Sequence, residues 1–373
     1  MCIHGVRLMN CNCVVIVLVA AGLTLVVSAA ASAAPVDRSV AVVAVPGGGQ
    51  PNCAKIDAEG TIHLVFQSAE GPQYANSTDQ GQTFSRPIPI VDRQSRKPGL
   101  EFSAWDMAVG PEGRVHVVMG TNAWKLKLPK EEWGCFYARL DPGLKSFTPV
   151  TNINHKPSEG FSLAADGHGN VTACWLSDKL YANVSHDRGA TFGPTIELDP
   201  KFDPCNCCTT TSAYGTDGKL AVLYREETNN DRDIFLVLWD QAKNEVSRTR
   251  VSTILWNIDA CPMSYYTITA VRDGYVAVWP TDGQIYFARL NAKGELLSPA
   301  EIKTPGTTGM RTGMLTLSAA DGKTLVAWNN EKQLHWQLYD ATGRAAGRPG
   351  SAATAGKGAA GVVAQDGRFV LFR

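Results

Sequence analysis

The 373-residue sequence has no surplus of charge of either sign, since 35 Lys and Arg face 35 Asp and Glu. A chain without net positive charge does not hold nucleic acid mainly by neutralising phosphates, and it offers nothing polybasic to an anionic membrane surface. Charged residues make up only 19% of the chain and aromatic residues 8%, and there are only seven histidines. No Walker loop, G-x-S-x-G elbow, H-E-x-x-H pair or Rossmann glycine fingerprint occurs, which removes the commonest nucleotide, hydrolase and zinc-protease signatures. A sustained apolar period of 3.6 is also missing, so helices are expected to be scarce. What remains is ample for folding. Hydrophobic residues at 44% allow a sizeable core, and 35 glycines with 20 prolines imply many turns.

One apolar run is long. Val14 to Val27 follows Arg7 and precedes the small residues Ser28-Ala29-Ala30-Ala31-Ser32-Ala33-Ala34. A positive start, a short apolar stretch and A-x-A sites form the pattern of a secretory signal peptide, expected here over residues 1–33 with cleavage after Ala33. No other run reaches the roughly 18 residues a membrane span needs. Residues 34–373 are therefore expected as one exported domain, periplasmic or secreted, without a membrane span after cleavage. Removal of Cys2, Cys11 and Cys13 turns ten cysteines into seven: Cys53, Cys135, Cys174, Cys205, Cys207, Cys208 and Cys261. An odd number in an oxidising compartment leaves at least one free thiol, metal ligand or intermolecular bond.

A phrase repeats along the chain, a small Asp/Gly turn followed by a short apolar strand. Its copies are Asp57-Ala-Glu-Gly60-TIHLVF, Pro111-Glu-Gly113-RVHVVM, Asp166-Gly-His-Gly169-NVTACW, Asp217-Gly218-KLAVLY, Asp273-Gly274-YVAVW, Asp321-Gly322-KTLVAW and Asp366-Gly367-RFVLF. Successive glycines stand 53, 56, 49, 56, 48 and 45 residues apart. With strand-like runs before and after most copies, each unit reads as a three- to four-stranded antiparallel meander the size of a propeller blade. The fold class expected is all-β, a single β-propeller of seven blades, or six if one copy is irregular. The last copy lacks its outer strands, and Ser39–Val45 is placed to supply one and close the ring.

Two units carry a sharper phrase, Ser77-Thr-Asp79-Gln-Gly81-Gln-Thr83-Phe84 and Ser185-His-Asp187-Arg-Gly189-Ala-Thr191-Phe192. An Asp that accepts turn N–H groups, a Gly free to take positive φ and an anchoring aromatic describe a tight hairpin. The phrase resembles the Asp-box, or BNR, repeat of sialidase-like propellers, and it implies a structural role for Asp79, Gly81, Asp187 and Gly189. The openings of the later blades are unusual. Blade 4 starts with Asp203-Pro-Cys205-Asn-Cys207-Cys208 and continues through Tyr224-Arg225-Glu226-Glu227, and blade 5 holds Cys261-Pro262-Met263-Ser-Tyr265-Tyr266. That combination resembles a subset of bacterial Asp-box proteins labelled exo-α-sialidase-like.

The resemblance implies arginines that clamp a substrate carboxylate, a Tyr–Glu nucleophile pair and an acid/base Asp. Arg225, Arg232 and Arg311 are the candidates for the clamp, with Asp106, Glu226 and Tyr265 or Tyr266 for the chemistry. The first-blade stretch Gly49–Ala54, where such enzymes carry one of the arginines, has none here. An ion-pair network between blades is the structural alternative for Arg225, Glu226, Arg232 and Asp233. Trp105, Trp124, Trp133 and Trp256 are loop aromatics suited to stacking on sugars. His63 and His116 repeat one register, which suits packing, and Cys174 lies in a strand as a small hydrophobe.

Two functions follow as expectations. The first is a monomeric propeller that recognises a glycan at its central mouth and, as an enzyme, would hydrolyse it like a sialidase, with no required cofactor. The second is a non-catalytic binding or scaffold propeller, in which Cys205, Cys207, Cys208 and Cys261 form a disulfide set or a soft-metal site for Cu(I) or Zn, with Met263, Met310 or Met314 nearby.

Overall fold

The computed structural model describes residues 39–373 other than 93, 95, 96, 331 and 355. The expected signal segment, with Cys2, Cys11 and Cys13, lies outside the described residues.

Each repeat folds as a sheet of consecutive antiparallel strands, and the sheets number seven. The innermost strands of blades 1 to 7 are Gln50–Ile56, Phe102–Val109, Glu159–Ala165, Thr210–Tyr214, Thr267–Val271, Met314–Ser318 and Ala360–Val363. The second strands carry the repeated apolar phrase, as in Val171–Leu176, Leu220–Arg225 and Gly274–Thr281, where every residue is buried. Their apolar runs are continuous, because a mid-blade strand is covered on both faces by neighbouring blades. No α-helix occurs among the described residues, and the only helical turns are three short 3₁₀ segments.

Six blades have four strands and the seventh has three. The seventh is the copy expected to lack its outer strands, and its sheet is completed from Ser39–Val45 as expected. Val40–Val43 supplies the missing outer strand, but it pairs with Phe369–Phe372 in parallel, Val40 opposite Phe369 and Val43 opposite Phe372. The Val45 N–H donates to the Arg373 carbonyl at 2.9 Å, and the Arg373 N–H donates to the Val43 carbonyl at 3.0 Å. The seventh sheet is thus built from both ends of the described chain, and a six-bladed ring is ruled out.

The two S-x-D-x-G-x-T-F phrases form the same turn in blades 1 and 3. Asp79 Oδ1 accepts the Thr83 N–H at 2.9 Å, and Asp187 Oδ1 accepts the Thr191 N–H at 2.8 Å. The Ser77 and Ser185 hydroxyls accept the Gly81 and Gly189 N–H groups at 2.9 and 2.8 Å. Gly189 is irreplaceable on two counts. Its φ is +78°, and a Cβ there would lie 2.0 Å from the Tyr137 hydroxyl. These turns join third to fourth strands, so they lie on the face opposite the loops that lead into the inner strands. His63 and His116 are held by tyrosines, through Nδ1 contacts of 2.8 and 2.6 Å to the Tyr74 and Tyr137 hydroxyls. Burial holds both imidazoles below the ordinary histidine range. Their repeated register is a packing device.

The Thr83 and Thr191 hydroxyl and N–H donors, with the neighbouring serines, hold Asp79 and Asp187 down at about 2. A carboxylate whose folded value is depressed stabilises the fold above its unfolded value and loses that contribution as pH falls through the folded one. The double variant Asp79→Asn/Asp187→Asn is therefore expected to melt below the parent at pH 6, with the gap closing between roughly pH 4 and 2. Scanning calorimetry across that range measures it, and a gap independent of pH contradicts this account.

Candidate functional site

The seven inner strands enclose an axial cavity of about 1530 Å³. Loops leading into the inner strands form its mouth, so the side chains there come from the residues just before or at each strand's start. Trp105 and Asp106 of blade 2, Glu159 of blade 3, Cys207 of blade 4, Tyr265 of blade 5 and Arg311 of blade 6 all line it.

Trp105 packs edge-on against Phe161, with ring centroids 5.4 Å apart, and edge-on against Tyr265 at 6.5 Å. Blade 5 stands across the ring from blade 2, so the segment carrying Tyr265 reaches over the axis and narrows the mouth. It is anchored there by the Arg311 N–H, which donates to the Met263 carbonyl at 2.9 Å. Burial raises the Tyr265 phenol, with Arg311 opposing and Glu159 adding to the rise. The surrounding wall likewise raises the Glu159 carboxyl, against the pull of Arg311. Glu159, Tyr265 and Arg311, from three blades, thus form one electrostatic group. The Arg311 side chain is exposed, and no ion pair among the described residues engages it.

Asp106 is on the same wall, but its oxygens are used by the fold. Oδ1 accepts the Met107 N–H at 2.8 Å and Oδ2 accepts the Leu163 N–H of blade 3 at 2.9 Å. Burial lifts its carboxyl above the usual range, while Lys55 and these N–H groups oppose the rise.

The other sequence candidates lie elsewhere. Arg225 and Glu226 are not at the mouth. They end the second strand of blade 4, where Arg225 is 0% exposed and Glu226 6%. The apolar run before them carries the chain straight into the interface between blades, which is why they sink instead of reaching the axis. The Glu226 carboxylate accepts Arg248 Nη2 at 3.0 Å, and Asp199 accepts Arg248 Nε at 2.8 Å. The Arg248 guanidinium lies 3.5 Å from the ring centres of both Phe202 and Phe235 and is stacked between them. Arg232 pairs with Glu227 at 3.7 Å, and Asp233 pairs with Arg250 at 2.8 Å. The ion-pair alternative therefore holds for Glu226, Arg232 and Asp233, through pairs within blade 4, and not for Arg225. The bond that crosses to blade 3 is Arg248 to Asp199, and Arg248 stands in no phrase that sequence reasoning could single out. Tyr266 is buried and structural, its hydroxyl accepting the Arg225 N–H at 2.9 Å and donating to the Thr209 carbonyl.

Among the aromatics, Trp124 is 58% exposed at the mouth. Trp133 donates its indole N–H to the Leu128 carbonyl at 2.8 Å, and Trp256 stacks on Arg225 at 4.9 Å. Glu159 went unnoticed in the sequence; its only signal was its place at the head of the GFSLAA strand.

Behind the mouth the four late cysteines meet. Cys207 and Cys261 are joined by a disulfide that links blade 4 to blade 5. Cys205 Sγ lies 3.7 Å from Cys261 Sγ, 3.9 Å from Cys207 Sγ and 3.2 Å from Cys208 Sγ. A turn closed by the Cys208 N–H on the Cys205 carbonyl, at 2.9 Å, sets those two thiols side by side. The sulfurs of Cys205, Cys207 and Cys261 are within 4.8 Å of one another, close enough for thiolates to share a soft metal ion, but two of them are spent in the disulfide. Met310 is 57% exposed and Met314 is packed in the blade 5–6 core, so neither is committed to the sulfurs, while Met263 lines the cavity. Cys53, Cys135 and Cys174 are free thiols away from this cluster, and Cys135 and Cys174 are fully buried.

Arg225 completes the cluster. Its guanidinium donates to Ser264 Oγ at 3.2 Å, to the Pro280 carbonyl at 2.6 Å and to the Arg232 carbonyl. None of these partners is anionic. The Cys205 hydrogen bond, and then Arg225, hold the Cys208 thiol down at about 6 against the effect of burial, while Cys205 is pushed up. Cys208 is the leading group of opposite charge acting on Arg225, followed by Tyr266, Cys205 and Asp233.

No family model matches the chain, and no curated protein matches it. Solved structures do match, at the level of fold. A polysaccharide lyase, an ulvan lyase of family PL25 bound to -[GlcA(1-4)Rha3S]-, is 13% identical with a TM-score of 0.54 over 87% of this chain and 86% of its own. Virginiamycin B lyase from Staphylococcus aureus with quinupristin is 12% identical with a TM-score of 0.51, over 86% of this chain and 90% of its own. An α-L-arabinanase from Penicillium chrysogenum, complexed with arabinobiose, is 13% identical with a TM-score of 0.46, over 83% and 94%. The two lyases, with TM-scores of 0.54 and 0.51, share this chain's fold, and at these identities the likeness is one of fold alone.

Removing Arg248 would leave Asp199 and Glu226 as buried, unpaired carboxylates, a change that typically costs about 3–5 kcal/mol. Arg248→Ala is expected to lower the urea midpoint sharply, and Arg311→Ala, at an exposed cavity wall, is expected to leave it within about 0.5 kcal/mol of the parent. Equal midpoints for the two variants would contradict the division between framework and mouth.

Proposed function

We propose that the protein recognises an anionic glycan at its central mouth. One observation carries this reading: Trp105 and Tyr265 present aromatic surface over a cavity of about 1530 Å³, and beside them stands the exposed Arg311. Aromatic faces suit the C–H faces of a sugar, and an exposed guanidinium suits a carboxylate or sulfate. Propellers of this fold accommodate such ligands, the ulvan lyase being described with a glucuronate–rhamnose sulfate repeat. That likeness is one of fold, and the residues that favour an anionic sugar here are this chain's own.

Kinship with Asp-box, sialidase-like propellers belongs to this proposal, supported by the two superposable turns at Asp79 and Asp187. Hydrolysis is the narrower form of it, with Glu159 beside Tyr265 as the reacting pair and Arg311 as the clamp. A raised Tyr265 phenol and an Asp106 already engaged by two backbone N–H groups favour recognition over bond cleavage. The second expectation, a non-catalytic propeller held by a disulfide, is favoured by the Cys207–Cys261 bond and is compatible with ligand binding at the mouth.

Titration calorimetry with glucuronate- and sialate-terminated oligosaccharides tests the reading, with a fluorogenic sialoside run alongside for hydrolysis. Binding is expected for acidic glycans, weakened about tenfold or more by Arg311→Ala and by Trp105→Ala, in line with 1.4 kcal/mol per decade. Equal binding of neutral and acidic sugars, or binding indifferent to Arg311, would refute the anionic preference. Turnover of the sialoside that Tyr265→Phe abolishes would establish the hydrolytic form.

A further inference from the structure

Four sulfurs around one hub, with a buried arginine whose guanidinium donates to a serine and two carbonyls, are more than a structural crosslink needs. A disulfide that only staples two blades requires Cys207 and Cys261. It does not require two further buried thiols, 2% and 1% exposed, one of them in van der Waals reach of both bonded sulfurs. We propose that Cys205, Cys207, Cys208 and Cys261 form an internal thiol–disulfide exchange centre, in which the Cys207–Cys261 disulfide is passed through Cys205 to the Cys205–Cys208 pair, leaving a reactive Cys207 thiol at the cavity wall and a free Cys261.

The atoms allow this without any external oxidant. The Cys205 proton moves to the Cys208 thiolate, 3.2 Å away. The Cys205 thiolate attacks Cys261 Sγ, 3.7 Å away, a Cys205–Cys261 bond forms, the Cys207–Cys261 bond breaks and Cys207 leaves as a thiolate. Cys207 then takes the Cys208 proton. The Cys208 thiolate attacks Cys205 Sγ, the Cys205–Cys208 bond forms and Cys261 leaves as a thiolate. One disulfide, one proton and one negative charge are present before and after, so the exchange is an isomerisation. Cys205-Asn206-Cys207-Cys208 gives the receiving pair the C-x-x-C spacing that closes readily into a disulfide.

Arg225 gives the centre its charge. A guanidinium buried among carbonyls, a serine and two aromatic faces is costly unless anions lie near, and a Cys208 thiolate would join Asp233 in that role. Cys207 lines the cavity and Cys261 is half-buried, so the exchange would free one thiol at the cavity wall and a second that is half-buried. The chemical class they would meet is a small thiol or disulfide, which is independent of any glycan bound there.

Native trapping tests the proposal. The full protein, prepared without reductant and kept anaerobic at pH 7.5, is treated with iodoacetamide, quenched in acid, unfolded and digested with trypsin. Cys205, Cys207 and Cys208 fall in the peptide 202–219 and Cys261 in 251–272, so the starting disulfide crosslinks the two peptides. Exchange is expected to convert that crosslinked species progressively into an uncrosslinked one, with Cys205–Cys208 bonded inside the first peptide and carbamidomethyl groups on Cys207 and Cys261. In Cys208→Ser the chain is expected to stop at the Cys205–Cys261 bond with Cys207 alkylated. In Cys205→Ala the Cys207–Cys261 bond is expected to persist, with far-UV circular dichroism confirming the parent fold for both variants. Retention of Cys207–Cys261 in the parent, whether or not Cys205 and Cys208 are alkylated, would overturn the proposal. So would conversion in Cys205→Ala. About one Cu or Zn per chain in the purified protein, with all four sulfurs protected from alkylation, would overturn it in favour of a metal site.

Discussion

A propeller is a row of sheets that must not end. Every blade covers the next, and a blade left at an open edge would expose both a hydrophobic face and unpaired backbone groups. In this chain that requirement is met by four residues, Val40–Val43, laid in parallel against Phe369–Phe372. The axial cavity exists only because the circle is complete, and the residues at its mouth converge from five blades only because the blades are held at fixed angles. Ring closure is therefore the condition for the site as well as for the fold.

Much of the framework was legible because it obeys short-range rules. The Asp/Gly turn followed by an apolar run fixed the blade period, and the copies at Asp79 and Asp187 revealed turns whose hydrogen bonds are nearly identical. The parallel sense of the closing strand was not legible. Val40–Val43 reads the same in either direction, and only the geometry of the seventh blade decides. The candidate site was legible in part. Arg311 and Tyr265 line the cavity from just before an inner strand, and Asp106 lines it from the middle of one. Arg225 and Glu226 lie at the end of a second strand, and a charged residue there is carried into the blade interface. Sequence distance from the repeat glycine tells that they end a strand, but not whether that end points to the axis or between the blades. The cysteine cluster was visible from spacing alone, whereas the side-by-side Cys205 and Cys208 thiols were not.

Electrostatics separates the surroundings of two arginines of blade 4, Arg225 and Arg248. Arg248 is the fully paired case, with two carboxylates at 2.8 and 3.0 Å and an aromatic ring on each side. Arg225 has carbonyls, a serine and rings as its direct partners, with Cys208 the leading group of opposite charge acting on it. The first arrangement locks a framework. The second places a polarising cation beside sulfur, where it lowers the cost of an anion in a dry setting.

The Cys207–Cys261 bond closes a loop of 54 residues between two neighbouring blades, a constraint worth about 4 kcal/mol in the chain-entropy view. Tyr265 follows Cys261 by four positions and is the residue that leans over the axis toward Trp105. The covalent tether and the aperture are thus parts of one short segment. A bond between Cys205 and Cys208 would instead close a ring within a single turn and leave that segment held by hydrogen bonds such as Arg311 N–H to the Met263 carbonyl, so in the proposed exchange the pairing of four sulfurs decides whether the aperture segment is covalently tied to blade 4.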